Sequence, residues 1–160
     1  MKTKLIALFV SLLSASWSSA QTAEETVSWL QAKMAEAYKS QTNIDLNVIT
    51  KNSFVNVLST DLSERAAAIE VKYAKVSAIS WKRTGDDLML AFAGSFTSFR
   101  AFDKREEYAR QKYDWNETPV NSAVVALKPS LADADVIRLV KAFTHLAELA
   151  GAKLVKDDLF

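Results

Sequence analysis

The segment SLADADVIRLVKAFTHLAELAG, residues 130–151, decides the fold class of this chain. Its large apolar side chains recur every three or four residues, which places them on one side of an α-helix. Ser130, followed by Asp133, has the pattern of a helix start, and Gly151 is a residue type that commonly ends a helix. A helix of this length is marginally stable alone in water, so its apolar side requires a partner surface. That side comprises Ala132, Val136, Leu139, Val140, Phe143, Leu146, Ala147 and Ala150.

A second amphipathic helix is predicted near the N-terminus, from residue 22 to about residue 38. Thr22 and Glu25 have the spacing of a capping box, in which each side chain bonds the other residue's backbone N–H. Trp29 projects about 130° away from the apolar side of this helix. It therefore either contacts a second part of the protein or stays exposed for a partner, which makes it a candidate binding residue. The apolar side comprises Ala23, Val27, Leu30, Met34, Ala37 and Tyr38.

Residues 1–20 have the three parts of a secretory signal peptide. Lys2 and Lys4 form a basic start, residues 5–13 an apolar stretch, and Ser18, Ser19 and Ala20 a small-residue cleavage site. The apolar stretch is about half the ~20 residues that a membrane-spanning helix needs. We therefore predict an exported protein, periplasmic or secreted. Cleavage after Ala20 leaves one domain, residues 21–160, with no transmembrane segment.

The composition of that domain excludes several classes of function. Because Lys2 and Lys4 lie in the signal segment, 18 of the 20 basic residues remain against 19 acidic ones. This balance argues against nucleic-acid binding, which depends on an excess of basic residues. The chain has no cysteine, so thiol chemistry and disulfides are excluded and an exported domain must be held together by its core.

Between the two helices the apolar period changes to that of β-strands. Strands are predicted over residues 43–50, 53–58, 67–73, 76–82, 87–93, 95–102 and 121–128. Gly94, between two of these runs, is either a hairpin corner or a bulge. The order of elements predicts an α+β fold with a mostly antiparallel sheet of about six or seven strands, flanked by an N-terminal and a long C-terminal helix. A curled sheet covered by the C-terminal helix, as in pleckstrin-homology-like barrels, is one such arrangement.

The segment 103–115, DKREEYARQKYDW, is the least regular part of the chain. It is either a short charged helix or a long loop between strands. Tyr108, Tyr113 and Trp115 alternate there with basic residues, a pattern that can contact nucleic acid or polysaccharide. Residues 100–115 carry five basic and four acidic residues, so they form no basic patch. We therefore interpret the segment as a solvated loop, and its three aromatic residues as candidate ligand contacts.

No catalytic, cofactor-binding or metal-binding residue is predicted. His145 is the only histidine, and it is placed on the charged side of the C-terminal helix with Arg138 and Glu148. It lacks the further ligands that a zinc site needs and the Gly-x-Ser-x-Gly turn of many serine hydrolases. The three glycines lie too far apart for a phosphate-binding loop.

Two segments resemble a known group of proteins. The helix start ETVSWL, residues 25–30, and the segment RLVKAFTHLAEL, residues 138–149, resemble the opening and closing helices of small exported domains of unknown function from Bacteroidota-type bacteria. That group often has a cysteine where this chain has Ala150. The resemblance implies an exported α+β domain and carries no activity with it.

Three functions fit these observations. The first is a non-catalytic module of the cell envelope that binds a protein, a lipid or a small apolar ligand. The second is a secreted enzyme that uses carboxylates or a Ser/Lys-type nucleophile, which a pocket lined by two or more of Asp86, Asp87, Glu106, Glu107 and Lys104 would indicate. The third is a structural or assembly subunit. Because catalytic groups are scarce and Trp29 lies off the apolar side of its helix, the binding module is the leading hypothesis.

Overall fold

The computed structural model describes residues 22–39, 48–60, 65–102 and 117–155. They form two helices and a six-stranded antiparallel sheet that is not closed. The α+β fold predicted from the sequence is therefore confirmed. The elements are α1 (Ala23–Ala37), β1 (Val48–Ile49), β2 (Ser53–Thr60), β3 (Arg65–Lys72), a 3-10 turn (Tyr73–Lys75), β4 (Val76–Thr84), β5 (Asp87–Phe102), β6 (Thr118–Leu127) and α2 (Asp133–Leu149).

The capping box predicted at the start of α1 is confirmed. The Thr22 N–H donates to Glu25 Oε2 at 2.9 Å, and the Glu25 N–H donates to Thr22 Oγ1 at 3.2 Å. These bonds satisfy two backbone donors that the first turn of a helix leaves free. The buried side chains of the helix are Thr26, Leu30, Met34 and Ala37, with Ala23 and Val27 partly buried.

The predicted start of the C-terminal helix was wrong by two residues. Ser130 is not the N-cap: α2 begins at Asp133 after the N-cap Ala132, and no side chain caps it. The Asp133 carboxylate is engaged elsewhere, because Arg83 at the end of β4 donates to its Oδ1 from Nη2 at 2.8 Å and from Nε at 3.0 Å. An ion pair across the fold has thus replaced the local cap. Ala132, predicted on the apolar side, is consequently exposed.

The sheet is organised around the 16-residue strand β5. Residues 97–102 pair with β3, residues 87–94 pair with β4, and residues 88–98 pair with β6 on the opposite side. β3 and β4 therefore lie end to end along one side of β5, separated by the 3-10 turn. The two strands predicted over 87–93 and 95–102 are one strand, and Gly94 is a bulge within it, since the register with β6 shifts between Ala93 and Phe96.

The core lies between the sheet and the apolar side of α2. Phe143 is fully buried, and its ring centroid lies 5.1 Å from that of Phe92 in β5 and 5.6 Å from that of Phe54 in β2. The Tyr73 ring lies 6.3 Å from it on a third side. Tilted and edge-on aromatic contacts at these distances add to the stabilisation that burial provides. The middle of α2 thus packs against β2, the 3-10 turn and β5.

The end of α2 follows the sequence prediction. Gly151 has a φ of +83°, the left-handed conformation that glycine adopts without the cost of a Cβ contact. The Gly151 N–H donates to the Glu148 carbonyl and the Ala152 N–H to the Ala147 carbonyl, both at 2.9 Å. The chain then turns back toward β4, where the Val155 N–H donates to the Ser77 carbonyl at 2.8 Å.

Candidate functional site

Of the four candidate binding residues named from the sequence, one lies in the described part of the chain. Trp29 is half-buried in α1 and packs against the core. It therefore contacts a second part of the protein, the first of its two predicted placements, while part of the indole stays accessible. Tyr108, Tyr113 and Trp115 lie outside the described residues.

Trp29 lines a pocket between the two helices, which we call the helix groove. Its volume is about 580 Å³, within the range of about 300–1,000 Å³ that is typical of small-molecule sites. Both helices contribute to it, together with one residue of the turn before α2. The lining residues are Trp29, Lys33, Glu36 and Ala37 from α1, Asp135, Arg138 and Leu139 from α2, and Leu131 from the turn.

The floor of the helix groove is apolar, since Ala37 and Leu139 in it are almost fully buried and Leu131 and Trp29 are half-buried. On α1 the spacing of Trp29, Lys33 and Ala37 is four residues, which places all three on adjoining turns of one side of the helix. The groove therefore lies where the apolar sides of the two helices diverge, and the Trp29 indole forms one wall of it.

Two ion pairs form the rim of the groove, one on each helix. Lys33 Nζ lies 2.8 Å from Glu36 Oε2, and Arg138 Nη1 lies 3.4 Å from Asp135 Oδ1. The hydrogen bond and the charge of Lys33 lower the pKa of the Glu36 carboxyl from its usual value. Each pair has the i,i+3 spacing of neighbours on a helix, so both charges of each pair are already neutralised by a partner. The rim thus has no net charge.

Arg83 positions the turn that supplies Leu131 to the groove. Besides its bonds to Asp133, it donates from Nη2 to the Leu131 carbonyl and from Nη1 to the Pro129 carbonyl, both at 2.6 Å. Charge-assisted hydrogen bonds of this length are among the stronger ones in proteins. One guanidinium at the end of β4 therefore holds both the turn and the first residue of α2.

The described residues place the remaining chemistry-bearing groups away from the groove. His145 is partly buried in α2, although the sequence predicted it on the charged, solvated side. Asp87 accepts a hydrogen bond from Lys39 Nζ at 3.1 Å, and neither Asp86 nor Asp87 lines the groove. Lys104, Glu106 and Glu107 lie outside the described residues. Within the described ranges, no three potential metal ligands come together.

A further structural feature concerns the hydroxyls of Tyr38 and Tyr73, which are buried and have no hydrogen-bond partner in the described part of the chain. Burial raises the pKa of both phenols far above the usual value of 10.0, and proximity to Tyr73 raises that of Tyr38 further.

Among the described helices, none is long and apolar enough to cross a membrane.

The sequence identified Trp29 as a candidate but not the residues that surround it. Leu139 was predicted as a core residue, and Arg138 as part of the charged side of its helix. A local signal was present: Lys33 with Glu36 and Asp135 with Arg138 have the spacing of helical ion pairs. Which two helix sides face each other, however, depends on how both helices pack on the sheet.

Comparisons of the chain with protein-family models, with curated proteins and with solved structures find no match.

Proposed function

We propose that this protein is an exported, non-catalytic binding module and that its helix groove takes a small, neutral, apolar ligand. The observation that carries the proposal is the combination of an apolar floor with a rim whose charges are paired. Pockets of this size bind mainly through apolar and aromatic contacts, with a few polar groups that orient the ligand. The half-buried Trp29 offers a large, rigid surface for such contacts.

The paired rim is what favours a neutral ligand over an ionic one. Lys33 and Arg138 each have a carboxylate partner on their own helix. A ligand with a single charge would therefore compete with an existing pair, while a neutral ligand leaves both pairs in place. Because exposed ion pairs contribute little free energy, the apolar contacts are expected to dominate affinity. Binding should consequently depend weakly on salt.

Export is supported by the residue pattern of positions 1–20 and by the resemblance of the helix segments 25–30 and 138–149 to small exported domains. Expression of the full chain in a bacterium, followed by intact-mass measurement of the envelope and secreted fractions, tests it. We expect a species that begins at Gln21. A full-length mass confined to the cytoplasm would contradict export without bearing on the groove.

Titration with the neutral fluorescent probe N-phenyl-1-naphthylamine tests the groove. We expect saturable binding at one site, weakened at least about tenfold by Trp29→Ala, the loss of about 1.4 kcal/mol of apolar contact. Ile137→Ala is the matched control, because Ile137 is an exposed apolar residue of α2 outside the groove. Equal affinity in the two variants would contradict the proposal.

Native mass spectrometry of the protein purified from its own host's envelope fraction identifies the natural ligand. A reproducible extra mass that Trp29→Ala abolishes supports the proposal. An extra mass that Trp29→Ala leaves unchanged places the ligand elsewhere and contradicts it.

A further inference from the structure

Among the described residues, the outer edge of β4 has a backbone partner at one end and none at the other. The neighbouring edge of β3 pairs with β2 as far as Lys72, opposite Ser53, and the Tyr73 N–H then donates to the Asn52 carbonyl. Next along the same edge, the Ser77 carbonyl accepts from Val155. From residue 78 to residue 84, no backbone partner is present on this side within the described part of the chain. Among the described strands, β4 accordingly pairs with β5 alone.

Open strand edges carry unpaired N–H and C=O groups and are templates for pairing with another chain. We propose that this edge pairs with the β4 edge of a second copy of the chain, antiparallel and centred on Ser80. The two-fold axis would then pass between two Ser80 residues, and the interface would be isologous. No residue of β4 lines the helix groove, so the proposed pairing leaves the groove accessible.

The sequence of β4 is complementary to itself in this register. Ile79 lies opposite Trp81 of the second copy, and both side chains are half-buried on the same side of the strand. Aromatic and β-branched residues directly opposite each other are a favourable cross-strand pair, and this one occurs twice. On the other side of the strand, Lys82 lies opposite Ala78, so no like charges face each other. A register shifted by two residues would lose both pairs.

The bond between Val155 and Ser77 limits the length of the paired segment. It occupies the position opposite Arg83 in the proposed register, so that residues 78–82 of each copy pair. A five-residue edge buries less surface than a stable dimer usually needs. The association is therefore expected to be concentration-dependent, and Lys82 within the paired segment should weaken it further, because lysines on an edge strand oppose association.

Disulfide trapping tests the register directly, because the chain has no cysteine of its own. Directly opposite residues of an antiparallel pair have Cα atoms about 4.5–5.5 Å apart, a distance that a disulfide can bridge. In the full chain, we expect Ser80→Cys to form covalent dimers under mild oxidation at least about ten times faster than Ser122→Cys. Ser122 is the matched control, an exposed serine of the same sheet on β6.

Sedimentation of cysteine-free protein supplies the second measurement. Ser80→Lys would place two ammonium groups against each other on the two-fold axis and is expected to abolish concentration-dependent dimerisation, while Ser80→Thr retains it. Ser80 is exposed, so the fold should persist in both variants, which circular dichroism checks. Equal crosslinking rates for Ser80→Cys and Ser122→Cys, or wild-type protein that stays monomeric at millimolar concentration, would overturn the proposal.

Discussion

The side-chain amide of Asn56 in β2 donates a 3.1 Å hydrogen bond to the Val124 carbonyl in β6. The two strands are three positions apart in the sheet, since β3 and β5 lie between them. In a flat sheet that separation would be about 14 Å, far beyond the reach of an asparagine side chain. The sheet is therefore strongly curled, and this bond joins two strands that no backbone ladder connects. It explains how the six described strands, which do not close, can still curl around one side of the aromatic core.

Replacement of Asn56 tests whether this bond stabilises the curl. Asn56 is buried, so we expect Asn56→Leu, which has a similar volume and no donor, to lower the free energy of unfolding by about 1–3 kcal/mol. Urea denaturation measures the change. Ser122→Ala, an exposed substitution on β6, serves as the control and should change stability by less than about 0.5 kcal/mol. An Asn56→Leu variant as stable as the wild type would show that the bond is dispensable.

Phe143 should be the side chain of α2 that is most costly to truncate. It contacts the rings of Phe54, Tyr73 and Phe92, so Phe143→Ala leaves a cavity bounded by three elements. We expect a loss of about 3–5 kcal/mol in the free energy of unfolding. Phe143→Leu retains much of the volume and should lose less. Equal losses for the two variants in thermal or urea denaturation would argue against the cavity as the cause.

Gly94 and Gly85 should respond differently to alanine for separate reasons. A Cβ at Gly94 would clash with the Lys75 carbonyl and lie 2.6 Å from Phe96 Cζ, so the bulge must distort. At Gly85 a Cβ meets no atom, and only its φ of +57° opposes the substitution. We expect Gly94→Ala to cost about 2–4 kcal/mol of stability, within the range for overpacking and strain, and Gly85→Ala about 1 kcal/mol.

Asparagine variants at the two glycines separate backbone strain from a steric clash. Asparagine tolerates the left-handed conformation better than alanine does, so Gly85→Asn should recover part of the loss. At Gly94, where the obstacle is a close approach of atoms, asparagine should be no better than alanine. Comparable losses at the two glycines in denaturation experiments would contradict the steric account of Gly94.

The raised pKa values of Tyr38 and Tyr73 predict that the protein loses stability at alkaline pH. Burial raises the pKa of both phenols in the folded state above the usual value of 10.0 that they have when unfolded. Above pH 10 the unfolded chain therefore releases protons that the folded chain retains, and unfolding is favoured. Each tyrosine should lower the free energy of unfolding by about 1.4 kcal/mol per pH unit above that point. Below pH 10 neither contributes a pH dependence.

Phenylalanine variants isolate this effect from the titration of lysines. Urea denaturation between pH 8 and pH 11 should show a shallower decline for Tyr73→Phe than for the wild type, and a shallower one again for the double variant with Tyr38→Phe. At pH 8, removal of a buried hydroxyl without a partner should not destabilise the protein. A slope unchanged in the double variant would show that the phenols ionise in the folded state.

Part of the candidate site was predictable from local pattern. The angle of Trp29 relative to the apolar side of its helix follows from the 3.6-residue period alone, and so does the pairing of Lys33 with Glu36. The residues that face Trp29 across the helix groove could not be predicted from local pattern. Leu131 faces the groove because Arg83, about fifty residues earlier in the chain, binds the carbonyl of Leu131 and the carboxylate of Asp133. Local sequence rules instead favoured Ser130 as the helix cap.

By itself, the sequence determined the number and kind of most elements, both helices with their apolar sides, the α1 capping box and the helix end at Gly151. These features depend on interactions within a few residues, which periodicity and capping patterns record. Only the tertiary structure decided the continuity of β5 through Gly94, the curl that joins Asn56 to Val124, and the facing of α1 and α2 across the helix groove. Those outcomes depend on contacts between residues far apart in the chain, whose free energies outweigh local preference and which a local pattern does not encode.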